Sequence, residues 1–404
     1  MSERVLLHVG TPKTGTSYLQ DVLFRNRPEL AEAGVLYPAD RFDAHFLAAL
    51  DLMRLPWGGL ETQAEGAWGE LARRVREHHG TAIISHEILA SASRQQAARA
   101  LESLGHGDGA EVHVVLSVRD LVRQVPAEWQ ENVKHRRTIR YGDFLRQIRD
   151  PQREGRIASW FWSVQELPAI LDRWAAELPP ERVHVITVPP SGGDPGLLWS
   201  RFSRVFGLDD LPLRHEATRA NPSLGVPETA LLRRLNTTSN AVIDPRDYRP
   251  LVRELLAHRT LSQRTGGPRL ALPPEDHAWA RGLSREWAVE LRRRGYDVEG
   301  DLADLDGPDA VATWHDPDSP DPEQVADAAL DALRAVLVEA ARLRHREEEL
   351  EGRLRETEIA LERAHLSPTY RVREKIVRGL QRSSAGEQAL KAYRAVRGRS
   401  SRSA

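Results

Sequence analysis

One stretch near the start of the sequence decides the fold class: Val5-Leu6-Leu7-His8-Val9-Gly10-Thr11-Pro12-Lys13-Thr14-Gly15-Thr16-Ser17-Tyr18-Leu19-Gln20. An apolar run of strand character leads into a hydroxyl-rich turn, and a helical pattern follows. The first N–H groups of a helix have no intrahelical acceptor, and the helix dipole makes that end partly positive. Lys13 and the Thr14, Thr16 and Ser17 hydroxyls would add donors. The stretch therefore predicts a loop that holds an anion such as phosphate.

The glycine spacing of this loop matches that of the nucleoside-triphosphate P-loop, Gly-x-x-x-x-Gly-Lys-Ser/Thr, but its cation does not. Gly10 and Gly15 have the required separation, whereas Thr16 stands where the pattern has lysine. The cation, Lys13, lies inside the loop. The purely structural alternative is that Gly15 ends the strand segment and that Thr16 or Ser17 caps the helix. That alternative leaves Lys13 unexplained.

Apolar runs like the first one recur along the chain. They lie at residues 5–9, 82–85, 112–118 and 183–188, with a shorter one at 34–38. Short runs that are apolar throughout fit strands buried on both faces of a parallel sheet and joined by helical crossovers. The sequence therefore predicts an α/β fold with a P-loop-like parallel β-sheet flanked by helices.

Helical periodicity fills the segments between and after these runs. The predicted helices cover residues 16–27, 61–79, 94–104, 121–134 and 163–177, and amphipathic stretches at 197–206, 227–235, 248–259 and 274–294 predict a helical cover on the sheet. We expect residues 1–300 to form one domain. Residues 301–322 hold seven Asp and four Pro without Lys or Arg. This composition predicts a linker too polar to pack, at which the core domain ends.

The overall composition excludes several classes of protein. With 57 basic and 59 acidic residues in 404, the net charge of −2 argues against a protein that coats nucleic acid. The absence of cysteine rules out disulfides, thiolate metal sites and cysteine nucleophiles, and suits a reducing compartment. There is no apolar run near eighteen residues, and the chain opens into a strand instead of a signal segment. We therefore expect a cytoplasmic protein.

Residues 323–366 have the pattern of a long helix. Apolar residues recur at alternating four- and three-residue steps, and nine of eleven such positions are apolar, which predicts a coiled-coil seam. The positions are Ala329, Leu333, Val336, Ala340, Leu343, Glu347, Leu350, Leu354, Thr357, Leu361 and Ala364. Such a seam could join two chains into a homo-oligomer. The alternative is that the helix packs on the domain of its own chain, since Glu347 and Thr357 weaken the seam.

The last segment, 367–404, is basic. An apolar stripe of Val372, Ile376, Val377 and Leu380 runs beside Arg371, Arg373, Lys375, Arg378 and Arg382. A basic amphipathic helix of this kind can make a peripheral contact with an anionic membrane or dock on an acidic partner. A solvated basic tail is the alternative.

The loop Thr-Pro-Lys-Thr-Gly-Thr-Ser-Tyr-Leu-Gln at residues 11–20 resembles the 5′-phosphosulfate-binding loop of sulfotransferases that use 3′-phosphoadenosine 5′-phosphosulfate (PAPS), particularly their bacterial carbohydrate-type branch. The resemblance extends in outline over residues 1–300. It implies that the loop holds the 5′-phosphate, that Lys13 neutralises the departing phosphate, and that no metal is required. The loop residues concerned are Thr11, Pro12, Lys13, Thr14, Gly15, Thr16 and Ser17.

A second segment, residues 114–130, resembles the part of these enzymes that binds the 3′-phosphate of PAPS. Arg119 matches the family's arginine at the end of a strand, and Arg123 lies one helical turn further on. Ala127 stands where the family has serine. A contact through Ser117, Arg123 or water could replace the missing hydroxyl. The structural alternative for Arg119 is a salt-bridged surface arginine, since Asp120 beside it can cap a helix.

A general base is expected at the end of the apolar run 82–85, because ligands bind at the carboxyl ends of the strands in such sheets. Glu87 is the first candidate and His86 the second. At least one of them is expected to be a capping or ion-paired residue. His45 and His8 are more typical of buried core side chains.

Several residues are candidates for the acceptor cleft. Trp129, Gln130 and Lys134 follow Arg119 on the predicted helix, and residues 219–223 resemble a polar family segment. Packing in the core is the alternative for Trp129.

The sequence thus predicts a sulfotransferase that moves a sulfuryl group from PAPS to a hydroxyl or amine of a glycan, glycolipid or small-molecule acceptor. Two alternatives remain open. A P-loop kinase would use ATP and Mg²⁺, with Glu87 or Asp120 near the metal. A non-catalytic scaffold would keep a degenerate loop, and Ala127 favours it.

Overall fold

The computed structural model describes residues 2–194, 196–216 and 223–366, together with 372, 375–377 and 380. The chain divides into two compact units, Met1–Leu333 and Arg334–Ala404. The predictions for the tail at 367–404 and for the segment 219–222 lie almost wholly outside the described residues. Among the residues described, no helix combines the length and apolar character needed to cross a membrane.

The first unit is built on a six-stranded sheet in which every strand pairs in parallel with its neighbours. The strands are β1 (Arg4–His8), β2 (Val35–Leu36), β3 (Thr81–Ser85), β4 (Glu111–Val118), β5 (Val183–Thr187) and β6 (Asp297–Glu299), in the spatial order β2-β3-β1-β4-β5-β6. The predicted α/β class is confirmed. Strand β6 was not predicted because its sequence, Asp-Val-Glu, has no apolar run.

Helices cover both faces of this sheet, so its central strands are apolar on both sides. Leu7 and Ile84 belong to the larger core cluster, whereas Leu6, Ile83 and Val115 belong to the cluster on the other face. Burying one such side chain contributes roughly 1.5–3 kcal/mol. The double burial explains why these strands read as continuous apolar runs.

The helices of the first unit follow the strands along the chain. They are α1 (Thr16–Arg25), α2 (Arg27–Glu32), α3 (Ala44–Met53), α4 (Glu61–Ala64), α5 (Ala67–Glu77), α6 (Arg94–Ser103), α7 (Leu121–Lys134), α8 (Tyr141–Arg149), α9 (Arg156–Gln165), α10 (Leu167–Trp174), α11 (Leu197–Phe206), α12 (Val226–Ser239), α13 (Pro245–Tyr248) and α14 (His277–Arg294), with a π-helix at Arg249–Thr260. A last helix, α15, spans Pro322–Leu366 and continues into the second unit.

Two predicted helices are each divided in the structure. The predicted helix 61–79 becomes α4 and α5, because Gly66 between them takes a left-handed backbone conformation with φ 79°. The predicted helix 163–177 was wrong at its start, since its first residues belong to α9 and α10 begins at Leu167 with Pro168 in its first turn. Proline fits the first turn of a helix but not its interior.

The prediction that residues 301–322 are too polar to pack was wrong. Leu302 and Leu305 are buried on a short 3₁₀ turn, and the Asp304 carboxylate accepts a hydrogen bond of 2.6 Å from Arg201. The backbone amides of Tyr141 and Gly142 donate to Asp318 at 3.0 and 2.9 Å and so cap α8. The aspartates of this segment were expected to be too polar to pack. Instead, Asp304 pairs with Arg201 and Asp318 caps α8. The first unit accordingly continues to Leu333.

Candidate anion-binding site

The predicted site residues meet at the carboxyl edge of the sheet. Strands β3, β1 and β4 are neighbours, and they end at Ser85, His8 and Val118. The loops that follow them carry His86 and Glu87, the stretch from Gly10 to Gly15, and Arg119. Parallel strands bring these three loops together because all their carboxyl ends lie on one side.

The loop after β1 has a backbone that needs glycine. Gly10 has φ 122°, and a Cβ atom there would lie 2.9 Å from the backbone oxygen of Glu87. Gly15 has φ 89°, and Lys13 also lies in the left-handed region with φ 64°. L-residues other than glycine rarely adopt positive φ. The loop therefore turns sharply and packs directly on the segment after β3.

Two threonines hold the loop in place. The Thr11 amide donates to the backbone oxygen of Ser117 at 2.7 Å, and the Thr14 hydroxyl donates to the backbone oxygen of Thr11 at 2.6 Å. Gln124 on α7 donates to the backbone oxygen of Pro12. Thr11 and Thr14 are both buried. The Thr14 hydroxyl, predicted as an anion donor, instead ties the loop to itself, and Ser17 is the exposed hydroxyl of this segment.

The start of α1 offers free backbone donors. Gly15 is the N-cap residue and provides no side chain to cap the helix. The Leu19 amide donates to the Gly15 oxygen at 3.1 Å. For the amides of residues 15–18, no acceptor lies within hydrogen-bond distance in the part of the chain that the structure describes. Uncapped amides at a helix start bind anions.

A buried histidine ties the three strand ends together. His8 lies with Nδ1 2.8 Å from the Ser85 hydroxyl and Nε2 3.0 Å from the Ser117 hydroxyl. Burial lowers the pKa of His8 to about 4, so the ring is neutral. Burial likewise lowers the pKa of His45 to about 3, and its Nδ1 accepts from the Ser85 amide. Both histidines are core residues, as predicted.

Lys13 is paired with a carboxylate that the sequence analysis missed. Its Nζ contacts Glu131 on α7, which also accepts from His135 at 3.2 Å and from Arg253 at 3.1 Å. Burial opposes ionisation of Glu131, but the charge of Lys13, the hydrogen bond from His135 and the charge of Arg253 together outweigh burial and hold the Glu131 pKa well below its usual range. Lys13 therefore lies at the loop as a charged group with an exchangeable anionic partner.

A second missed carboxyl group, Glu128, lies one helical turn before Glu131. It is buried and accepts a hydrogen bond of 3.1 Å from Gln165. Burial raises the pKa of Glu128 to about 7, with the charge of Lys13 opposing the shift. Gln124, Glu128 and Glu131 are spaced four and three residues apart, so they share one helix face. That spacing was the signal available in the sequence.

Because the native Glu128 pKa exceeds the ordinary carboxyl value, the folded state retains a proton that the unfolded state releases between about pH 4.5 and 7. The free energy of unfolding should therefore fall in this window, by at most about 1.4 kcal/mol per pH unit. We expect Glu128→Gln to gain stability relative to the wild type as the pH rises from about 5 to about 8. Urea unfolding of both proteins at the two pH values measures this. An equal difference at both would contradict the assignment.

Arg119, the predicted 3′-phosphate ligand, lies against the loop. Its Nη1 donates to the backbone oxygen of Lys13 at 3.2 Å, and its Nε is buried without an acceptor among the described residues. Burial lowers the pKa of Arg119 to about 10, which leaves the guanidinium charged at neutral pH. A buried donor without a partner is costly, so an anion here would satisfy it.

Arg123 makes structural contacts instead of contacts with the loop after β1. Its Nε pairs with the Asp120 carboxylate, and its Nη1 donates to the backbone oxygen of Pro189 at 2.9 Å. Asp120 is fully buried and also caps α7 by accepting from the Arg123 amide. The predicted anion-binding role of Arg123 therefore has no support in its contacts. The Asp120 carboxylate is occupied by the side chain and the amide of Arg123. This weakens the prediction that it lies near Mg²⁺ in a kinase.

The missing hydroxyl at Ala127 is not replaced by either protein group proposed for it. Ser117 is fully buried and donates to the backbone oxygen of Gly10 at 3.0 Å. Arg123 is held by Asp120, as described above. Of the candidates from the sequence, a water-mediated contact remains.

His86 and Glu87 differ in what they can do. The His86 Nδ1 accepts from the Ile88 amide at 3.2 Å, and the ring stacks on Phe46. His86 is thus a capping residue, and its lone pair is occupied. Glu87 accepts from Gln20 at 3.0 Å. Burial raises the pKa of Glu87, but the electrostatic interaction with His86 and several hydrogen bonds, including those from Gln20 and Thr16, outweigh burial and lower that pKa below its ordinary value, so the carboxylate is ionised.

The side chains considered for an acceptor cleft belong largely to the core. Trp129 is fully buried and donates to the backbone oxygen of Ile139 at 3.0 Å. Gln130 is buried and donates to the backbone oxygen of Leu224. Lys134 is also buried, and burial lowers its pKa to about 8. Trp129 and Gln130 therefore position α7 instead of lining an open surface.

Within the described ranges, no group of three or more His, Asp or Glu side chains is arranged to hold a metal ion. No protein-family model matches the sequence, and neither a curated protein nor a solved structure shows significant similarity to the chain.

Proposed function

We propose that the protein is a PAPS-dependent sulfotransferase whose loop after β1 binds the phosphosulfate. The observation that carries the proposal is the uncapped start of α1, flanked by Lys13 and Arg119. The free amides of residues 15–18 suit the 5′-phosphate, since donors at a helix start bind phosphate without further charge. The sequence resemblance in the loop supports the same ligand.

Arg119 supports the choice of a nucleotide with a second phosphate. Its guanidinium contacts the loop through the Lys13 carbonyl and keeps an unpartnered buried Nε, so part of its donor capacity is free. Charge-assisted hydrogen bonds to phosphate are about twice as strong as neutral ones. The 3′-phosphate of PAPS is the anion proposed for this arginine.

Lys13 is proposed to stabilise the leaving phosphate. Its ammonium group pairs with Glu131, and a bound phosphosulfate would compete for the same ammonium group. The acceptor atom attacks sulfur as the bond between sulfur and the 5′-phosphate oxygen breaks. The electron pair leaves with adenosine 3′,5′-bisphosphate, and negative charge grows on the phosphate next to Lys13. A fixed positive charge at that point lowers the barrier.

Glu87 is the proposed proton acceptor. Its carboxylate is ionised and lies at the end of β3, beside Gly10 of the loop. It can take the proton of the acceptor hydroxyl or amine while the new bond to sulfur forms. His86 is the weaker candidate because its Nδ1 is occupied by the Ile88 amide.

Thermal unfolding with different nucleotides tests the proposal. Ligand at 100 times its Kd stabilises the folded state by about 2.7 kcal/mol. We therefore expect adenosine 3′,5′-bisphosphate to raise the melting temperature by several degrees without added metal, and ADP with Mg²⁺ to have little effect. A rise with ADP and Mg²⁺ alone would support the kinase. No rise with either would support the non-catalytic scaffold.

The acceptor is proposed to be a hydroxyl or amine of a glycan, glycolipid or small molecule in the cytoplasm. Labelled PAPS supplied with members of each class would identify it by the appearance of a labelled product. The proposed membrane contact through the basic tail concerns residues almost wholly outside those described.

A further inference from the structure

The second unit contains a helix whose apolar face is exposed among the residues that the structure describes. Between Val336 and Leu361 of α15, the apolar side chains at the seam positions lie open to solvent. Leu354 is 59% exposed and Leu361 is 56% exposed, and Val336, Leu343 and Leu350 are similarly accessible. A row of exposed leucines is unfavourable in water and marks an interaction surface.

The row has the geometry of a two-stranded coiled coil. In heptad terms, Ala340, Glu347, Leu354 and Leu361 occupy a positions, and Val336, Leu343, Leu350 and Thr357 occupy d positions. The intervals alternate between four and three residues without a break, so the row follows one face of the helix. The helix is uninterrupted over 45 residues, which supports that register.

The charges beside the row are complementary between two copies. The charged g positions are Glu339, Arg346 and Arg353, and the e positions one heptad further on are Arg344, Glu351 and Glu358; the last g position of the seam, Ala360, is uncharged. In a parallel coiled coil, each g residue faces the e residue five positions later on the partner helix. Glu339 would face Arg344, Arg346 would face Glu351, and Arg353 would face Glu358. Every such pair combines opposite charges.

We propose that α15 pairs with α15 of a second copy of this chain, in parallel and in register. The occupant of the apolar face is therefore the same helix, aligned residue for residue. Glu347 at an a position would lie next to its own counterpart, and the repulsion between the two carboxylates weakens the pair.

The charges favour the parallel orientation over the opposite one. In an antiparallel pair, g residues face g residues and e residues face e residues. Where the two seams overlap fully, Arg346 and Arg353 of one helix would face the same two arginines of the other, while Arg344 would face Glu351. Repulsive and attractive contacts then balance, whereas the three charged g–e pairs of the parallel arrangement are all attractive. Within one chain, Arg346 donates to Glu349 at 2.6 Å, but such exposed pairs contribute little and can be exchanged.

The absence of cysteine from the chain allows a direct test in the full-length protein. A single cysteine at Leu350, a d position, would meet its counterpart in the parallel, in-register pair and form a disulfide under mild oxidation. We expect Leu350→Cys to give a covalent dimer, and the matched control His345→Cys, at an outer f position, to remain monomeric on a non-reducing gel. Light scattering of the wild type should give twice the chain mass.

A mixing experiment separates the orientations. In the fully overlapped antiparallel pair, position 350 faces position 347 of the other helix. A mixture of Leu350→Cys and Glu347→Cys should form only homodimers if the proposal is right. A preferred heterodimer, or a monomeric wild type by light scattering, would overturn it. Neither result depends on nucleotide binding, so this proposal and the proposed function can fail separately.

Discussion

Replacing Lys13 with methionine is expected to slow sulfuryl transfer by on the order of 10²–10³-fold, the cost of removing one group that stabilises developing charge. Lys13 lies inside the loop, so it is a cation at the place where the leaving phosphate is proposed to lie. Methionine keeps the length of the side chain and removes the charge. The measurement is the rate of adenosine 3′,5′-bisphosphate release from PAPS with a working acceptor.

The control for this prediction is Lys13→Arg, which keeps the charge and should retain part of the rate. Lys13→Arg should melt close to the wild type because it keeps a cation beside Glu131, whereas Lys13→Met leaves that carboxylate without its lysine and should melt at a somewhat lower temperature. If the methionine variant kept the wild-type rate, Lys13 would have no role in the departure of the phosphate.

Truncation of the chain after Gly300 is expected to unfold the first unit. The truncation removes Asp304 and leaves Arg201, whose side chain is 10% exposed, without its carboxylate partner. Breaking a buried ion pair in this way costs about 3–5 kcal/mol. Loss of Leu302 and Leu305 adds roughly 1.5–3 kcal/mol for each side chain. These losses approach the whole stability of a typical domain, about 5–15 kcal/mol.

Circular dichroism during heating tests the truncation. The matched control is truncation after Leu333, where the first unit ends, and this variant should unfold cooperatively near the wild-type temperature. If the variant ending at Gly300 unfolded with the same midpoint, residues 301–322 would be the dispensable linker that their composition suggested.

The sequence was sufficient for the elements whose signals are local. Strands β1 and β4 were predicted because both of their faces are buried, which makes Val5 to Leu7 and Val114 to Leu116 apolar without interruption. Helix α7 was predicted over the residues it occupies, since Asp120 caps its start. The loop after β1 and Arg119 lie close together because the parallel strands β1 and β4 end at the same edge of the sheet.

The rest depends on contacts between residues distant in the chain. The local sequence around Asp304 does not reveal its ion pair with Arg201. Strand β6 likewise forms through its pairing with the edge of β5. Glu131 became part of the site through its pairing with Lys13, which lies 118 residues away. Arg123 matched its expected position, but its contacts with Asp120 and Pro189 direct it elsewhere.

The second phosphate of the nucleotide gives the most direct test of the central claim, that Arg119 and the loop after β1 bind a nucleotide phosphorylated at both ends of its ribose. The measurement is the melting temperature with adenosine 3′,5′-bisphosphate and with adenosine 5′-phosphate, for the wild type and for Arg119→Met. We predict a larger rise with the bisphosphate in the wild type, and equal rises with both nucleotides in the variant. Equal rises in the wild type, or a bisphosphate preference that survives in the variant, would contradict the account.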